Sequence, residues 1–312
     1  MSDSFFSSDE FLGAIAAACY PGRAWSAELA RVTGRTFRIL FVDGKPAEQT
    51  WLHPFYYEES RPARGEAVRQ IPYLRTVSHG LIEAPLLSLA LPFQPAPYVD
   101  WTRFRDWQDY QAFSHEGLFP AMWKTGAYSA RALARQAGEV GFVADDDDPA
   151  AHDAIFGWKS AQYRRTGGID RFLLPAAREI YRGLQLRGVL RVSTLRAGGN
   201  VVAGIVGSRW HGRFYARLIA HDPTLARYSP GAILTQRLLR ESFEDGDQQF
   251  DFLAGGERYK WLYATHARIL GPVGRQPLRA KIEHAARRRI GTWRQRRRQD
   301  AQARHVPARH AR

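Results

Sequence analysis

The chain has 312 residues, 45% of them hydrophobic and 12% aromatic, so it can bury a large core, and its length fits roughly two domains. Its formal charge of +14 is concentrated at one end: residues 275–312 hold 13 Lys or Arg against 2 Asp or Glu, which leaves the preceding 274 residues at only +3 and argues against a strongly basic body. A single cysteine, Cys19, excludes an intrachain disulfide and a cysteine metal cluster, and it fits a reducing compartment.

Phe11–Tyr20 is an apolar run of about ten residues preceded by acidic side chains, and no run reaches the roughly 18–20 apolar residues that span a bilayer. Both features point to a soluble cytoplasmic protein. Residues 9–31 read as helical with an interruption at Pro21-Gly22. Thr36–Val42 and Pro46–His53 read as a β-hairpin, because Asp43-Gly44 between apolar runs favours a tight turn. Ile71–Ser78 and Leu81–Leu91 follow as strands. Trp101, Phe104, Trp107 and Tyr110 recur at helical spacing, the pattern of a core stripe. A helix over Ser129–Ala137 and a strand over Val140–Ala144 lead to Asp145–Asp148, whose adjacent like charges read as a solvated linker. The expected domains are therefore 1–144 and 150–274, followed by a basic tail over 275–312.

The second half has a clearer order. Ala150–Arg165 and Asp170–Arg187 read as helices, and Val189–Arg196, Val201–Trp210 and Phe214–His221 as an antiparallel meander turning at Gly198-Gly199-Asn200 and His211-Gly212. Ser229 as N-cap and Pro230 at the first helical position open a helix that runs from Gly231 to Phe243 and stops at Asp245-Gly246. A strand over Gln249–Leu253, a break at Gly255-Gly256, a turn at Tyr259–Tyr263 and a strand near Ala267–Leu270 complete the order α-α-β-β-β-α-β-α-β. The start of the Gly231 helix offers free N–H groups and a partial positive charge to an anion such as a phosphate. Asp251 lies among Phe250, Phe252 and Leu253, where a carboxylate needs a partner. Lys260, one of five lysines against 40 arginines, is the candidate, as a structural ion pair or as a catalytic charge.

This order, together with Trp158-Lys159, Tyr163-Arg164, Ser229-Pro230-Gly231, Phe250-Asp251-Phe252, Gly255 and Tyr259-Lys260, resembles the core of the GNAT acyltransferase superfamily. It is more closely similar to the CelD/BcsL-type acetyltransferase branch, which is related to the FemAB transferases. The resemblance spans about residues 150–275. It implies an α+β fold of two tandem GNAT-like domains, the first degenerate, each a mixed, mostly antiparallel sheet flanked by helices. It also implies an enzyme that moves an acyl group, acetyl foremost, from a coenzyme A or carrier-protein thioester without a metal. The acceptor would be an amine or hydroxyl of a small molecule or polysaccharide, as in polysaccharide or secondary metabolite biosynthesis.

Such transfer needs an aligned carbonyl, a route for the nucleophile's proton, and a donor or cation at the oxyanion or leaving thiolate. Asp251 or His221 is the expected proton acceptor, and Tyr259 or Tyr263 with Lys260 the expected groups at the leaving atom or oxyanion. His221-Asp222 also reads as a turn-capping pair. The donor's phosphates fall to Arg227, Ser229, Gly231 and Ala232. Here the sequence departs from the family's loop: Pro230 stands where its first glycine is expected, and proline has no N–H to give a phosphate.

Two other readings stay open. A FemAB-like transferase would take its acyl group from aminoacyl-tRNA, and the basic tail would contact phosphates. A non-enzymatic adaptor would use the fold as a scaffold and bind nucleic acid or an anionic surface. In the tail, Leu278, Ile282, Ala285, Ile290 and Trp293 fall on one side of a helix with arginines elsewhere, a pattern suited to the inner face of an anionic membrane.

Overall fold

The computed structural model describes residues 5–47, 56–83, 94–116, 122–167 and 170–282. The first element is helix α1 (Asp9–Cys19), capped by Ser8, whose side chain accepts from the Phe11 N–H, with Asp9 and Glu10 in its first turn. Pro21-Gly22 ends it, and the chain then turns into β1 (Trp25–Val32), not back into a helix. Trp25–Val32 contains good helix formers, but it pairs along its whole length with β2 (Arg35–Val42), an example of tertiary pairing overriding propensity. Thr33 and Gly34, both at positive φ, make the connecting turn. The hairpin expected at Asp43-Gly44 is present, with β3 (Lys45–Pro46) paired to β2; residues 48–53 of that expectation lie outside the described residues. With β4 (Val68–Gln70), which runs parallel to β1, these strands form a four-stranded sheet in the order β3-β2-β1-β4.

The remaining strands build one eight-stranded sheet. They are β5 (Tyr73–Glu83), β6 (Gln94–Asp100), β7 (Val140–Val143), β8 (Arg191–Ala197), β9 (Asn200–Trp210), β10 (Arg213–His221), β11 (Gln249–Asp251) and β12 (His266–Gly274), in the spatial order β5-β12-β6-β11-β10-β9-β8-β7. All neighbours are antiparallel except β10 and β11. Residues 84–91, the far end of an expected strand, lie outside the described residues. Strands from both sides of Asp145–Asp148 share this sheet: β6 lies between β11 and β12, and β7 closes the edge on β8. The acidic run is not a solvated linker. Asp146 is buried and accepts from Thr194 Oγ1 and, at 2.8 Å, from Arg196, which also pairs with Asp148 at 2.9 Å. Asp148 in turn caps the next helix through the Ala150 N–H.

Helices cover both faces. On one side α1, α4 (Pro149–Thr166) and α5 (Pro175–Leu186) bury Phe11, Leu12, Ile15, Ile155, Phe156, Tyr181 and Leu184 against Val192, Val206, Leu218 and Ala220 of the sheet. On the other, α2 (Trp107–Glu116), α3 (Met122–Ala137) and α6 (Pro230–Glu244) bury Tyr110, Leu133, Leu234, Leu238 and Leu239 against Leu195, Ile205, Phe214 and Phe250. The aromatic stripe is core, as its spacing implied: Trp101 and Tyr110 meet edge to face at 4.8 Å, and the Trp101 indole N–H reaches Ser242. The result is an α+β fold of mixed, mostly antiparallel sheets flanked by helices. Among the described residues, no helix is long and apolar enough to cross a membrane. Most of the expected tail helix lies outside the described residues; within them, Leu278 and Ile282 are exposed.

Candidate active site

The site begins with a broken ladder. β10 and β11 run parallel and pair only over Arg213–Tyr215 and Gln249–Asp251. Beyond that point β10 continues to His221 on β9, while the chain after Asp251 turns toward β6, where the Phe252 and Gly255 N–H groups bond to the carbonyls of Pro97 and Pro95. The two strands therefore part. A bulge in β10 between Ala216 and Leu218 adds one residue at the fork and flips the alternation: Phe214 and Ala216 face α6 before it, and Ile219 faces α6 after it.

The fork opens a cavity of about 210 Å³ through the sheet. Ala216–Ile219 form one wall and Phe252, Ala254 and Gly255 the other. Lys159 and Tyr163 enter from α4, Tyr181 from α5, Thr235 from α6, and Glu257, Tyr259 and Lys260 from the segment that ends in the short helix α7 (Arg258–Trp261). Lys260 is buried, and its three N–H donors have three acceptors: the carbonyls of Leu253 and Ala254 at 3.3 Å each, and Glu257 at 2.9 Å. Glu257 is the loose partner, with a side chain 59% exposed. Gly255 makes this arrangement possible: its φ is +140°, and a Cβ there would lie 2.2 Å from Glu257 Oε2 and 2.7 Å from Lys260 Nζ. Burial raises the Tyr259 phenol well above its ordinary range, so it stays protonated and able to donate.

Lys159 differs from Lys260. Its Nζ donates to the Ile219 carbonyl at 3.0 Å and stands 5.4 Å from the centre of the Tyr163 ring. Burial, reinforced by Lys260 and opposed by Glu257, pushes its pKa down to about 8.

The expected site residues separate into three groups. Tyr259 and Lys260 line the cavity. Asp251 and Tyr263 do not. Asp251 is fully buried behind the fork, where Oδ2 accepts from Tyr56 at 2.6 Å and Arg268 at 2.8 Å, and Oδ1 accepts from the Leu253 N–H at 2.7 Å. Arg268 also reaches Glu58 at 3.3 Å and Gln249 at 2.9 Å. Asp251 is therefore the partner of Arg268, not of Lys260. Burial raises its pKa against the pull of Arg268. Tyr263 is buried against Phe252, its pKa pushed up to about 12 by burial while a bond to Gln236 opposes the rise.

The third group surrounds the start of α6. His221, at the end of β10, lies beside Gly231, where a Cβ would be 3.3 Å from its Nδ1; burial and Arg165 lower its pKa. Asp222 caps the following turn through the Thr224 N–H, as the turn-capping reading implied. Ser229 occupies the N-cap position in a left-handed conformation (φ 51°), and its side chain makes no capping bond. Its carbonyl instead accepts from the Ala232 and Ile233 amides at 2.9 and 3.2 Å. With Pro230 lacking an N–H and Ala232 engaged, Gly231 is the amide left at this helix start. Arg227 is exposed and stacks on Tyr228.

The sequence of residues 124–261 matches the family model described as Acetyltransferase (GNAT) domain. Over these residues the chain is similar to GNAT acetyltransferases. It is an acyl-transferring enzyme, and every cavity-lining residue except Gln94 falls within the GNAT match. The fold is similar to that of FemX, with a TM-score of 0.50 at 10% identity over 86% of this chain and 93% of that one. It also aligns with L-PGS from Bacillus licheniformis (0.47, 10%, 92% and 98%) and with a tandem GNAT protein from the clavulanic acid biosynthesis pathway (0.36, 12%, 88% and 97%). No curated protein matches in sequence.

Sequence reasoning about the GNAT site singled out Lys260 and Tyr259 but gave no role to Lys159, Tyr163, Tyr181, Arg217 or Glu257. The scarcity of lysine that marked Lys260 applies equally to Lys159, and that signal could have found it.

Proposed function

We propose that the protein transfers an acyl group, acetyl foremost, from a coenzyme A or carrier-protein thioester to an amine or hydroxyl acceptor, with the reaction in the fork between β10 and residues 252–255. The acceptor belongs to a small molecule or a polysaccharide, and the chemistry is that of the CelD/BcsL-type branch. The observation that carries this reading is the parting of β10 from β11. From Ala216 onward one edge of β10 has no strand beside it among the described residues, and Lys159, Tyr259 and Lys260 face the opening. An extended donor arm rich in amides can hydrogen-bond along such an edge. Tyr259 then donates toward the departing thiolate. Lys260 meets a developing oxyanion once the exposed Glu257 carboxylate gives way. His221 and Gly231, with Arg227 and Ser229 outside them, form the end of the fork at which a donor's phosphates would lie.

A second reading has a specific observation behind it. With Pro230 in the loop and the Ala232 amide bonded to Ser229, the start of α6 offers few N–H groups to a pyrophosphate. An aminoacyl-tRNA donor, whose phosphate contacts are spread over a wide surface, depends less on that cradle. Separate incubation with labelled acetyl-CoA, an acyl-carrier thioester and charged tRNA distinguishes the readings by which donor is consumed. Consumption of a thioester supports the first reading, consumption of charged tRNA the second, and consumption of none across an acceptor panel of amines and polyols overturns both.

A further inference from the structure

We propose that Lys159, as the neutral amine, removes the proton from the acceptor's amine or hydroxyl as it attacks the donor carbonyl; this rests on the acyl-transfer reading above. The alternatives within reach of the fork are occupied. Asp251 is sealed behind the sheet by Tyr56 and Arg268, Glu257 is paired with Lys260, and His221 lies outside the cavity lining beside Gly231. Lys159 reaches into the cavity from α4, and among the described residues no carboxylate oxygen lies within 4 Å of its Nζ. Its one hydrogen bond is to the Ile219 carbonyl at 3.0 Å. An ammonium has three N–H donors and needs three acceptors, whereas a neutral amine giving one N–H to Ile219 keeps a lone pair for the cavity.

Burial favours the neutral form of Lys159, and the charged groups around it pull both ways. Tyr163 lies beneath it on the same helix, Tyr181 projects from α5, Arg217 and His221 belong to β10, and Lys260 and Glu257 come from the α7 segment. Of these, Glu257 favours the ammonium and Lys260 opposes it, while burial lowers the His221 pKa and favours its neutral form. Burial brings the pKa to about 8 against the pull of Glu257, with a smaller push from Lys260, and this puts the amine near the pH at which a base is most useful.

The step balances without a further reactant. The acceptor's N–H or O–H proton passes to Lys159 Nζ while its electron pair bonds to the carbonyl carbon. The C–S bond then breaks and the thiolate leaves with the bonding pair. The Lys159 ammonium returns the proton to that thiolate, directly or through water, leaving the acylated acceptor, a free thiol and a neutral Lys159.

Two readouts test the base, one of them independent of substrate. With only five lysines in the chain, reductive methylation with 13C-formaldehyde followed by NMR titration resolves them individually, and Lys159→Arg assigns the Lys159 signal. We expect a midpoint near 8, and a midpoint of 10 or above overturns the proposal. The second readout is kcat/KM for the consumed donor against pH. Wild type should rise with a midpoint near pH 8 and level off above about pH 9. Lys159→Met and Lys159→Arg should lose that rise and fall by about 100-fold or more, since neither side chain can take a proton at these pH values. Added ethylamine should partly restore Lys159→Ala. A Lys159→Arg protein with the circular dichroism and the kcat/KM profile of wild type overturns the base alone. A wild type that consumes no donor overturns the transferase reading and the base with it.

Discussion

Asp251 and Lys260 lie nine positions apart, and from the sequence they looked like partners. The structure separates them because each finds stronger company: Asp251 has Arg268 and Tyr56 in a fully buried site, and Lys260 has two carbonyls and Glu257. The sequence could say that a carboxylate among apolar neighbours needs a partner, but not that Arg268, on a strand two places away in the sheet, would supply it. Asp251→Asn should therefore act on stability, lowering it by about 3 kcal/mol in urea denaturation by leaving the Arg268 charge poorly paired. Lys159 should behave oppositely. Its folded pKa of about 8 lies below the roughly 10.4 of an unfolded lysine, so between those pH values the unfolded chain binds more protons and stability rises with pH. Below pH 8 the burial penalty is complete. Lys159→Met should thus be more stable than wild type at pH 7 by on the order of 1–3 kcal/mol, and the gap should narrow from pH 8 to about 10.5. Urea denaturation of both proteins across this range checks the sign, and a gap that widens with pH contradicts it.

Elements of the second half were legible because turns marked them. Gly198-Gly199, His211-Gly212 and Asp245-Gly246 each end an element where glycine takes a positive φ, and the α-α-β-β-β-α-β-α-β order follows. The first half was harder to read. β6 holds Pro95 and Pro97, which argue against a strand inside a sheet. It is tolerated because both prolines give only their carbonyls to Gly255 and Phe252 of the irregular run beyond β11, where no N–H is required of them. The same irregular run forms a wall of the cavity, so the feature that hid β6 also shapes the site. At the start of α6, Ser229 holds its place through backbone conformation, not through a side-chain bond. Ser229→Gly should raise stability by up to about 1 kcal/mol by relieving the left-handed backbone, whereas a capping serine would lose stability by a few tenths. Gly255→Ala should have a larger effect, because the added methyl displaces Glu257 and Lys260 together; we expect loss of transfer in the same assay that measures donor consumption.

At the scale of the molecule, one sheet carries the site. β11 and β12, which frame the Tyr259–Lys260 segment, are joined through β6 from the first third of the chain, and from an earlier segment still Tyr56 holds Asp251 and Glu58 holds Arg268. Residues 150–274 expressed alone would lack β6 and the Tyr56 contact, so we expect that piece to be unfolded by circular dichroism, whereas residues 1–282 should fold. A cooperative thermal transition in the 150–274 piece would show that the division at Asp145–Asp148 is real. The central claim is that acyl transfer takes place where β10 and β11 part. Its most direct test is a crystal structure with a non-transferable thioether analogue of whichever donor is consumed. We expect the analogue's acyl carbonyl between Ala216–Ile219 and Phe252–Gly255, in contact with Tyr259 or Lys260 and with Lys159 open to the acceptor side. An analogue bound with its carbonyl outside that fork would contradict the assignment.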